Sequence, residues 1–245
     1  MNLSAFDLKG KVALITGGAH GIGFSIAVGM AQCGATVCFN CSNEGSLEKG
    51  IAAYKEAGVE AHGYVADVTD EAAVNAMVAK IKEEVGPVDI LVNNAGLMKR
   101  VPMIEMSHTD FLRVIDVHVG GAFNCSKAVL PDMIAKREGK IINICSMMSE
   151  LGRETVSAYA AAKGALKMLT KNSPLSTAST TSSATAWALA TLPPPRPLPC
   201  ARSSRTAAVI PSTPSSAPRP PQAAGATPKT WSAPASSWLL THPIS

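Results

Sequence analysis

The fold of this chain is most constrained by a fivefold alternation of short apolar runs with longer helical patterns, between residues 11 and 146. The strand-like runs occupy residues 11–16, 35–40, 60–65, 88–92 and 140–145. Helical patterns occupy residues 22–33, 44–57, 70–85 and 107–136, with a further helix that contains residues 159 and 163. Strands that alternate with helices in this way predict an α/β fold with a right-handed, doubly wound parallel sheet.

A glycine-rich turn, TGGAHGIG at residues 16–23, joins the first strand to the first helix. Small residues let backbone N–H groups approach a pyrophosphate, and the helix N-terminus favours an anion. The turn therefore predicts the phosphate end of a dinucleotide site.

Polar residues follow three later strands: Asp67, Asn93 and Ser146. Ligands of doubly wound sheets bind beyond the carboxyl ends of the strands, so these side chains are expected at the same edge. Taken singly, Asp67 and Asn93 are also ordinary turn residues.

The segment 146–171, SMMSELGRETVSAYAAAKGALKMLTK, places Lys163 four residues after Tyr159 on a helix. This spacing puts the phenol and the ammonium on one face. A neighbouring ammonium lowers the pKa of a phenol, which can then act as a general base or acid on an alcohol or a carbonyl. Ser146 could hydrogen-bond the same substrate oxygen. Without the other motifs, the pair would be an ordinary surface pairing.

The ordered set of TGGAHGIG, ADV, NNAG and S-x12-Y-x3-K resembles the classical short-chain dehydrogenase/reductases over residues 8–172. Within that family, FDLKGK, RVPMIEM and the segment from IINICS to LTKN resemble the gluconate 5-dehydrogenases, or 5-keto-D-gluconate 5-reductases. The resemblance implies a Rossmann-type fold. It also implies reversible hydride transfer between a nicotinamide nucleotide and a secondary alcohol or ketone, with gluconate and 5-ketogluconate as the expected pair.

The resemblance also implies a cofactor site. Its residues are Gly17, His20, Gly21, Ile22, Gly23, Asn40, Ser42, Asp67, Val68, Asn93, Ala95, Gly96, Tyr159 and Lys163. An acid at the end of the second strand would repel a 2′-phosphate, and Asn40-Cys41-Ser42 contains none. His20 lies where NADP-using relatives often place a basic residue. We therefore expect NADP(H), with NAD(H) as the alternative.

The catalytic roles follow from the same resemblance. Tyr159 would exchange the hydroxyl proton, Ser146 would polarise the substrate oxygen, and Lys163 would bind the nicotinamide ribose and lower the tyrosine pKa. One catalytic position departs from the family, because His118 stands where an Asn supports a water relay. A histidine there could carry protons, or it could merely face the helix interior.

Three charged residues are candidates for the substrate. Arg100 and Arg153 could bind the carboxylate of a sugar acid, and Glu150 could accept hydrogen bonds from its hydroxyls. Each also fits a solvated loop charge. The six cysteines lack metal-ligand spacing, so no metal site is expected, and their use as free thiols indicates a reducing, cytoplasmic location.

Residues 173–245 differ in composition from residues 1–172. They contain no Asp or Glu, five Lys or Arg and 14 of the 17 prolines, so the net charge of +4 divides into −1 and +5. We expect a dehydrogenase domain at 1–172 and a largely disordered Pro/Ser/Ala-rich tail that replaces the last strands. Codons chosen for the tail, read one base earlier, permit a family-like continuation. The hypothesis is a one-base deletion at codon 173, in the gene or in its sequencing.

This tail leaves other functions open. Loss of the last strands and the substrate lid would leave the fifth strand as an unprotected edge, and the chain could be a non-catalytic dinucleotide-binding remnant. Alternatively, the proline-rich motifs at 193–197 and 218–221 could bind groove domains. No basic cluster with interleaved aromatics indicates nucleic acid, and no apolar run is long enough for a membrane. The family implies a homodimer or homotetramer, which is doubtful for this chain.

Overall fold

A computed structural model describes residues 6–176 and 183–189. These residues form one six-stranded sheet with the order β3-β2-β1-β4-β5-β6, in which every neighbouring pair is parallel. The strands are β1 (Val12–Ile15), β2 (Thr36–Cys41), β3 (Ala61–Val65), β4 (Ile90–Asn93), β5 (Lys140–Ser146) and β6 (Ser183–Leu189). The strand order reverses direction at β1, which confirms the doubly wound α/β fold.

The helices agree with the predicted ranges to within two residues where an end was predicted. They are α1 (Gly21–Gln32), α2 (Glu44–Glu56), α3 (Glu71–Glu84), α4 (His108–Ile115), α5 (Gly121–Lys136) and α6 (Ser157–Ser176). Side chains of Asn43, Asp70 and Ser107 accept hydrogen bonds from first-turn N–H groups and so fix where α2, α3 and α4 begin.

The long helix predicted over 107–136 is interrupted in its middle. A π-helical turn, Asp116–Gly120, lies between α4 and α5 and contains His118. Wide turns of this kind occur often at functional sites, because they rotate a side chain away from the regular helical face. Hydrophobic spacing did not predict this interruption.

Apolar residues cover both faces of the sheet. In β1, Leu14 packs into a cluster with α3 and α5, whereas Ile15 packs into a second cluster with α1 and α2. Burial on both faces explains why the strands read as continuous apolar runs rather than as alternating ones. The two layers hold the strand ends in place, and those ends carry the polar residues of the site.

The expectation that β5 is an unprotected edge is wrong. β6 pairs with β5 in parallel from Lys140↔Ser183 to Ser146↔Leu189, and α6 continues to Ser176. The run SATAWAL contains neither proline nor glycine and alternates alanine with other residues, a strand-compatible pattern that the composition of the whole tail conceals. The proposed division after residue 172 stays a prediction, and both proline-rich motifs lie outside the described residues.

Candidate active site

A cavity of about 390 Å³ lies beyond the carboxyl ends of β1 to β4. It is walled by the glycine-rich turn, by the ends of β2 and β3, by residues 94–97 and by α4. Most of the predicted cofactor residues line it, namely Gly17, His20, Gly21, Ile22, Asn40, Ser42, Asp67, Val68, Ala95 and Gly96. The fold therefore collects these residues, which are far apart in the chain, around one cleft.

The glycine-rich turn needs glycine for two separate reasons. Gly17 has a φ of +61°, and a Cβ added to it would lie 2.9 Å from the Cα of Ala95. A Cβ on Gly23 would lie 2.5 Å from the amide nitrogen of Asn94. His20 precedes α1 without a side-chain hydrogen bond to the helix, so the first N–H groups of α1 remain available to an anion.

Thr16 and Asn94 attach the glycine-rich turn to the end of β4. The Asn94 amide donates to the carbonyls of Thr16 and Gly17 at 3.0 Å, and the Thr16 hydroxyl accepts from the N–H groups of Asn94 and Ala95. Sequence reasoning did not single out these two residues. Thr16 is the first residue of TGGAHGIG and Asn94 belongs to NNAG, and this membership was the sequence indication of their role.

The Asp67 carboxylate is held by hydrogen bonds at the end of β3. One oxygen accepts from the N–H and the hydroxyl of Thr69, and the other lies 3.1 Å from the guanidinium of Arg113 on α4. The backbone bond from Thr69, followed by its hydroxyl and by Arg113, lowers the pKa of Asp67. The carboxylate is therefore a permanent acceptor at neutral pH. Arg113 was not predicted from the sequence.

The end of β2 presents hydroxyl and amide groups rather than a carboxylate. The buried Asn40 amide donates to the carbonyls of Cys41 and Ala66, so it joins β2 to the end of β3. Ser42 is exposed and lines the cavity. Asn43 uses its side chain to cap α2.

Tyr159 and Lys163 face each other on α6, as their spacing predicted. The Lys163 ammonium lies 5.7 Å from the centre of the Tyr159 ring and donates to the carbonyl of Ile144 on β5. Lys163 is only 4% exposed, and burial lowers its pKa to about 8. The helix thus brings a buried cation to the aromatic ring whose hydroxyl would exchange a proton.

Ser146 ends β5 and is buried. Its hydroxyl accepts from the N–H of Met148 at 3.2 Å, and the chain then makes a single 3₁₀ turn, Met147–Ser149. The Ser149 hydroxyl accepts from the N–H of Ser146 at 3.3 Å and donates to the carbonyl of Lys163 at 2.9 Å. Ser149 was not predicted, although S-x-x-S is a possible capping pattern.

His118 is buried and lies against Tyr159. Its ring is edge-on to Tyr159 at a centroid distance of 5.3 Å, and its Nε2 lies 2.8 Å from the carbonyl oxygen of Leu97. A carbonyl only accepts, so Nε2 carries a hydrogen and Nδ1 is an acceptor. Among the described residues, Nδ1 has no partner. Burial, followed by the charge of Lys163, lowers the pKa of His118 to about 4.

Asn93 is not among the residues that line the cavity and instead takes part in a buried chain of polar side chains. Its amide donates to Asn143 at 2.8 Å and to Ser126 at 3.1 Å, and Asn143 donates to Thr170 at 2.9 Å. We call the series Asn93–Asn143–Thr170 the amide ladder. It connects β4, β5 and α6.

The three predicted substrate residues are all exposed. Arg100 contacts the sulfur of Met98 through Nε at 3.3 Å. Glu150 forms an ion pair with Lys167 on α6, which lowers the pKa of Glu150. Within the described residues, no recorded contact joins Arg100, Glu150 or Arg153 to Ser146 or Tyr159.

Two other features are absent from the described part of the chain. No three His, Cys, Asp or Glu side chains converge there as metal ligands. None of its helices combines the length and the apolar character that a bilayer span requires.

The family model for short chain dehydrogenases matches residues 11–186. The chain belongs to the short-chain dehydrogenase family. The match extends from β1 through α6 into β6, and it confirms the resemblance inferred from the ordered motifs. The family consists of oxidoreductases that bind NAD(P) and act on small molecules.

Individual relatives in this family point to sugar acids. The 2-dehydro-3-deoxy-D-gluconate 5-dehydrogenase of Formosa agariphila is 50% identical over 173 residues, which cover 70% of this chain and 66% of that protein. The 5-keto-D-gluconate 5-reductase of Escherichia coli is 42% identical over 166 residues, covering 68% and 65% respectively. The matched part of this chain therefore spans just under two thirds of the length of these relatives.

A solved short-chain dehydrogenase has the same fold. The gluconate 5-dehydrogenase of Burkholderia cenocepacia, crystallised with NADP and tartrate, superposes with a TM-score of 0.73 at 40% identity. The superposition covers 78% of this chain and 74% of that one.

Proposed function

We propose that this short-chain dehydrogenase transfers a hydride reversibly between a nicotinamide nucleotide and a secondary alcohol or ketone of a sugar acid, with gluconate and 5-ketogluconate as the first candidate pair. The observation that carries the proposal is the placement of buried Lys163 against Tyr159, with Ser146 linked to the same helix through Ser149. This is an acid–base pair beside a polarising hydroxyl, at the edge of the sheet where ligands bind.

The cleft fits a dinucleotide on several physical grounds. A side chain at Gly17 or Gly23 would collide with residue 94 or 95, so glycine lets the turn pack against the end of β4. The small residues of the turn also let backbone N–H groups approach a pyrophosphate. The unoccupied N–H groups of α1 favour an anion, and the ionised Asp67 accepts hydrogen bonds. When bound, a nicotinamide nucleotide supplies or accepts the hydride.

The protein residues move and stabilise the proton. In oxidation, Tyr159 takes the substrate hydroxyl proton, and in reduction it returns that proton to the oxygen. The Lys163 ammonium, which lies against the Tyr159 ring, binds the nicotinamide ribose. Ser146 donates to the reacting oxygen and holds it beside the tyrosine.

His118 contributes as a neutral group in this proposal. Its Nε2–H is bound to Leu97, and its ring edge contacts Tyr159. Because burial disfavours a second proton, His118 serves as a hydrogen-bond acceptor at Nδ1 and as a wall for the tyrosine ring. The structure supports this role better than proton carriage by an imidazolium.

We assign the cofactor as NADP(H), with NAD(H) as the alternative. Ser42 and His20 line the cavity, and residues 40–43 contribute no carboxylate that would repel a 2′-phosphate. The Burkholderia relative was crystallised with NADP, which agrees with this assignment.

A second candidate substrate is 2-dehydro-3-deoxygluconate. The specific observation in its favour is the 50% identity to the Formosa enzyme, against 42% to the 5-ketogluconate reductase. Both substrates carry a carboxylate, so Arg100 and Arg153 are proposed to bind that group, and Glu150 is proposed to bind hydroxyls after exchanging its partner Lys167. Substrate competition between the two sugar acids will rank them.

The alternative to an enzyme is a dinucleotide-binding remnant without catalysis, in which the substrate lid and the last strands are lost. It is kept because the residues that match these relatives cover under two thirds of the relatives' length. The test uses the full chain beside a Tyr159→Phe control, and measures reduction of 5-ketogluconate with NADPH and with NADH, and oxidation of 2-dehydro-3-deoxygluconate with NADP⁺ and with NAD⁺. Turnover that the control lacks supports the enzyme. Nucleotide binding without turnover supports the remnant.

Light scattering of the same sample tests the expected homodimer or homotetramer, and cell fractionation tests the proposed cytoplasmic location.

A further inference from the structure

Arg113 on α4 lines the dinucleotide cavity and adds a positive charge to it. The proton transfer proposed above does not use this residue. It lines the cavity together with Asp67 and Val68, and its side chain is 52% exposed. Exposed ion pairs contribute little to the free energy of unfolding, so the pairing with Asp67 does not by itself explain why a cation is held at this position.

The guanidinium is fixed at two points. Its Nη2 lies 3.1 Å from the Asp67 carboxylate, and its Nη1 donates to the Thr69 hydroxyl at 3.3 Å. Thr69 in turn donates its N–H and hydroxyl to the other carboxylate oxygen of Asp67. These bonds form a closed set in which the guanidinium is oriented before any ligand arrives.

The position of Arg113, Asp67 and Thr69 in the cleft indicates which part of a bound dinucleotide would contact Arg113. The phosphate-binding features, the glycine-rich turn and the N-terminus of α1, belong to β1. Arg113 lies instead at the β3 end, beside the Asp67 carboxylate. A flat, weakly hydrated cation at this end matches a purine base, because guanidinium planes stack on bases.

We propose that Arg113, held beside Asp67, binds the adenine ring of the dinucleotide by laying its guanidinium over the face of the base. This inference rests on the proposed dinucleotide binding, but not on the proposed substrate. It makes Arg113 a determinant of affinity for the adenosine half of the cofactor, independently of the 2′-phosphate.

The test is nucleotide binding by the full-length chain, measured by calorimetry with NADP⁺, NAD⁺, ADP-ribose and nicotinamide mononucleotide. Arg113→Ala is expected to weaken binding of the three adenine-containing ligands by about tenfold each, the size of a desolvated cation–π contact. Nicotinamide mononucleotide lacks the adenine, so its binding is expected to stay the same. Arg113→Lys keeps the positive charge but lacks the planar guanidinium, so it is expected to show most of the loss in affinity.

Lys127→Ala is the matched control, because Lys127 forms a similarly exposed ion pair with Glu71 on neighbouring helices away from the cavity. It is expected to leave all four affinities unchanged. Equal affinities for wild type and Arg113→Ala would overturn the inference. So would full restoration by Arg113→Lys, or a loss confined to NADP⁺, which would assign Arg113 to the 2′-phosphate. If wild type binds none of the ligands, the proposed function fails as well.

Discussion

The hydroxyl of Ser149 donates a hydrogen bond to the main-chain carbonyl of Lys163 at 2.9 Å. The same hydroxyl accepts from the N–H of Ser146 at 3.3 Å, and the side chain of Lys163 donates to the carbonyl of Ile144. The end of β5 and α6 are therefore joined by two hydrogen bonds, one to the main chain of Lys163 and one from its side chain. These bonds attach Ser146 to the helix that also carries Tyr159.

Replacing Ser149 by alanine removes one of these connections. Loss of the hydrogen bond is expected to cost about 1 kcal/mol of unfolding free energy. It is also expected to lower kcat by roughly tenfold with little change in nucleotide affinity, because orientation rather than cofactor binding is lost. Ser149→Thr keeps the hydroxyl and should restore most of kcat. The control is Ser157→Ala, whose hydroxyl has only a 3.9 Å contact with the sulfur of Met106. Equal losses in both alanine variants would contradict this role.

Burial of Lys163 should make the nucleotide-free protein more stable as the pH rises. Its pKa is about 8 in the folded protein, against an ordinary value of 10.5. Lys163 binds its proton more tightly in the unfolded chain than in the folded one. The free energy of unfolding therefore rises between pH 8 and pH 10.5 and is lowest below pH 8. Urea unfolding from pH 7 to pH 10.5 should show that Lys163→Met removes this rise, on the order of 3 kcal/mol. Lys171→Met, an exposed lysine on the same helix, should leave it in place.

His118 should make the protein sensitive to acid. Its folded pKa of about 4 lies below the ordinary 6.5, so its contribution is complete above pH 6.5 and is lost as the pH falls towards 4. His118→Asn should therefore lose less stability than wild type between pH 6.5 and pH 4 in urea titrations. His108→Gln changes an exposed histidine and should behave like wild type. A wild-type kcat/KM profile that breaks near pH 6.5 and loses the break in His118→Asn would contradict a permanently neutral His118.

Gly96 should not tolerate a side chain. A Cβ there would lie 2.2 Å from Cε1 of His118, so Gly96→Ala must displace the imidazole or residues 96–97. We expect a cost of about 1–3 kcal/mol and a loss of activity through the displaced Tyr159 contact. Gly29→Ala is the control, because its Cβ would meet nothing within 4 Å inside α1. It should stabilise the helix by up to about 1 kcal/mol.

The composition break after residue 172 gives a prediction about the gene. Resequencing of codon 173 should find a base that the present reading frame lacks, and the intact natural product should be heavier than 25.3 kDa. Intact-mass spectrometry of the protein from its native source decides the second point. A mass of 25.3 kDa would show that the tail is made, and the remnant would become the better description of the chain. An unaltered base count would contradict the deletion.

The sheet was predictable because burial on both faces imposes apolar runs, and capping side chains such as Asp70 mark where helices begin. β6 escaped prediction because a seven-residue strand is hidden by the composition of a long Pro-rich tail. The π-helical turn escaped because a change in backbone hydrogen bonding leaves little trace in hydrophobic spacing.

The candidate site was predictable where chemistry fixes spacing within a motif, as with Tyr159 and Lys163. Ser149 and Arg113 were missed because each acts on a residue distant in the chain, and a single sequence does not reveal the partner. Arg100, Glu150 and Arg153 show the opposite limit. An exposed charged side chain can pair with any of several neighbours, so its partner does not follow from the sequence. Glu150, for example, pairs with Lys167.

The amide ladder also protects the alignment of the sheet. Asn93 and Asn143 are opposite each other in the β4–β5 register as well as hydrogen-bonded. A slip of β5 by one residue would turn Asn143 to the other face and leave the buried amide of Asn93 without this partner, which costs more than losing an apolar contact. Because Asn143 also donates to Thr170, the register of β4 and β5 and the packing of α6 depend on each other.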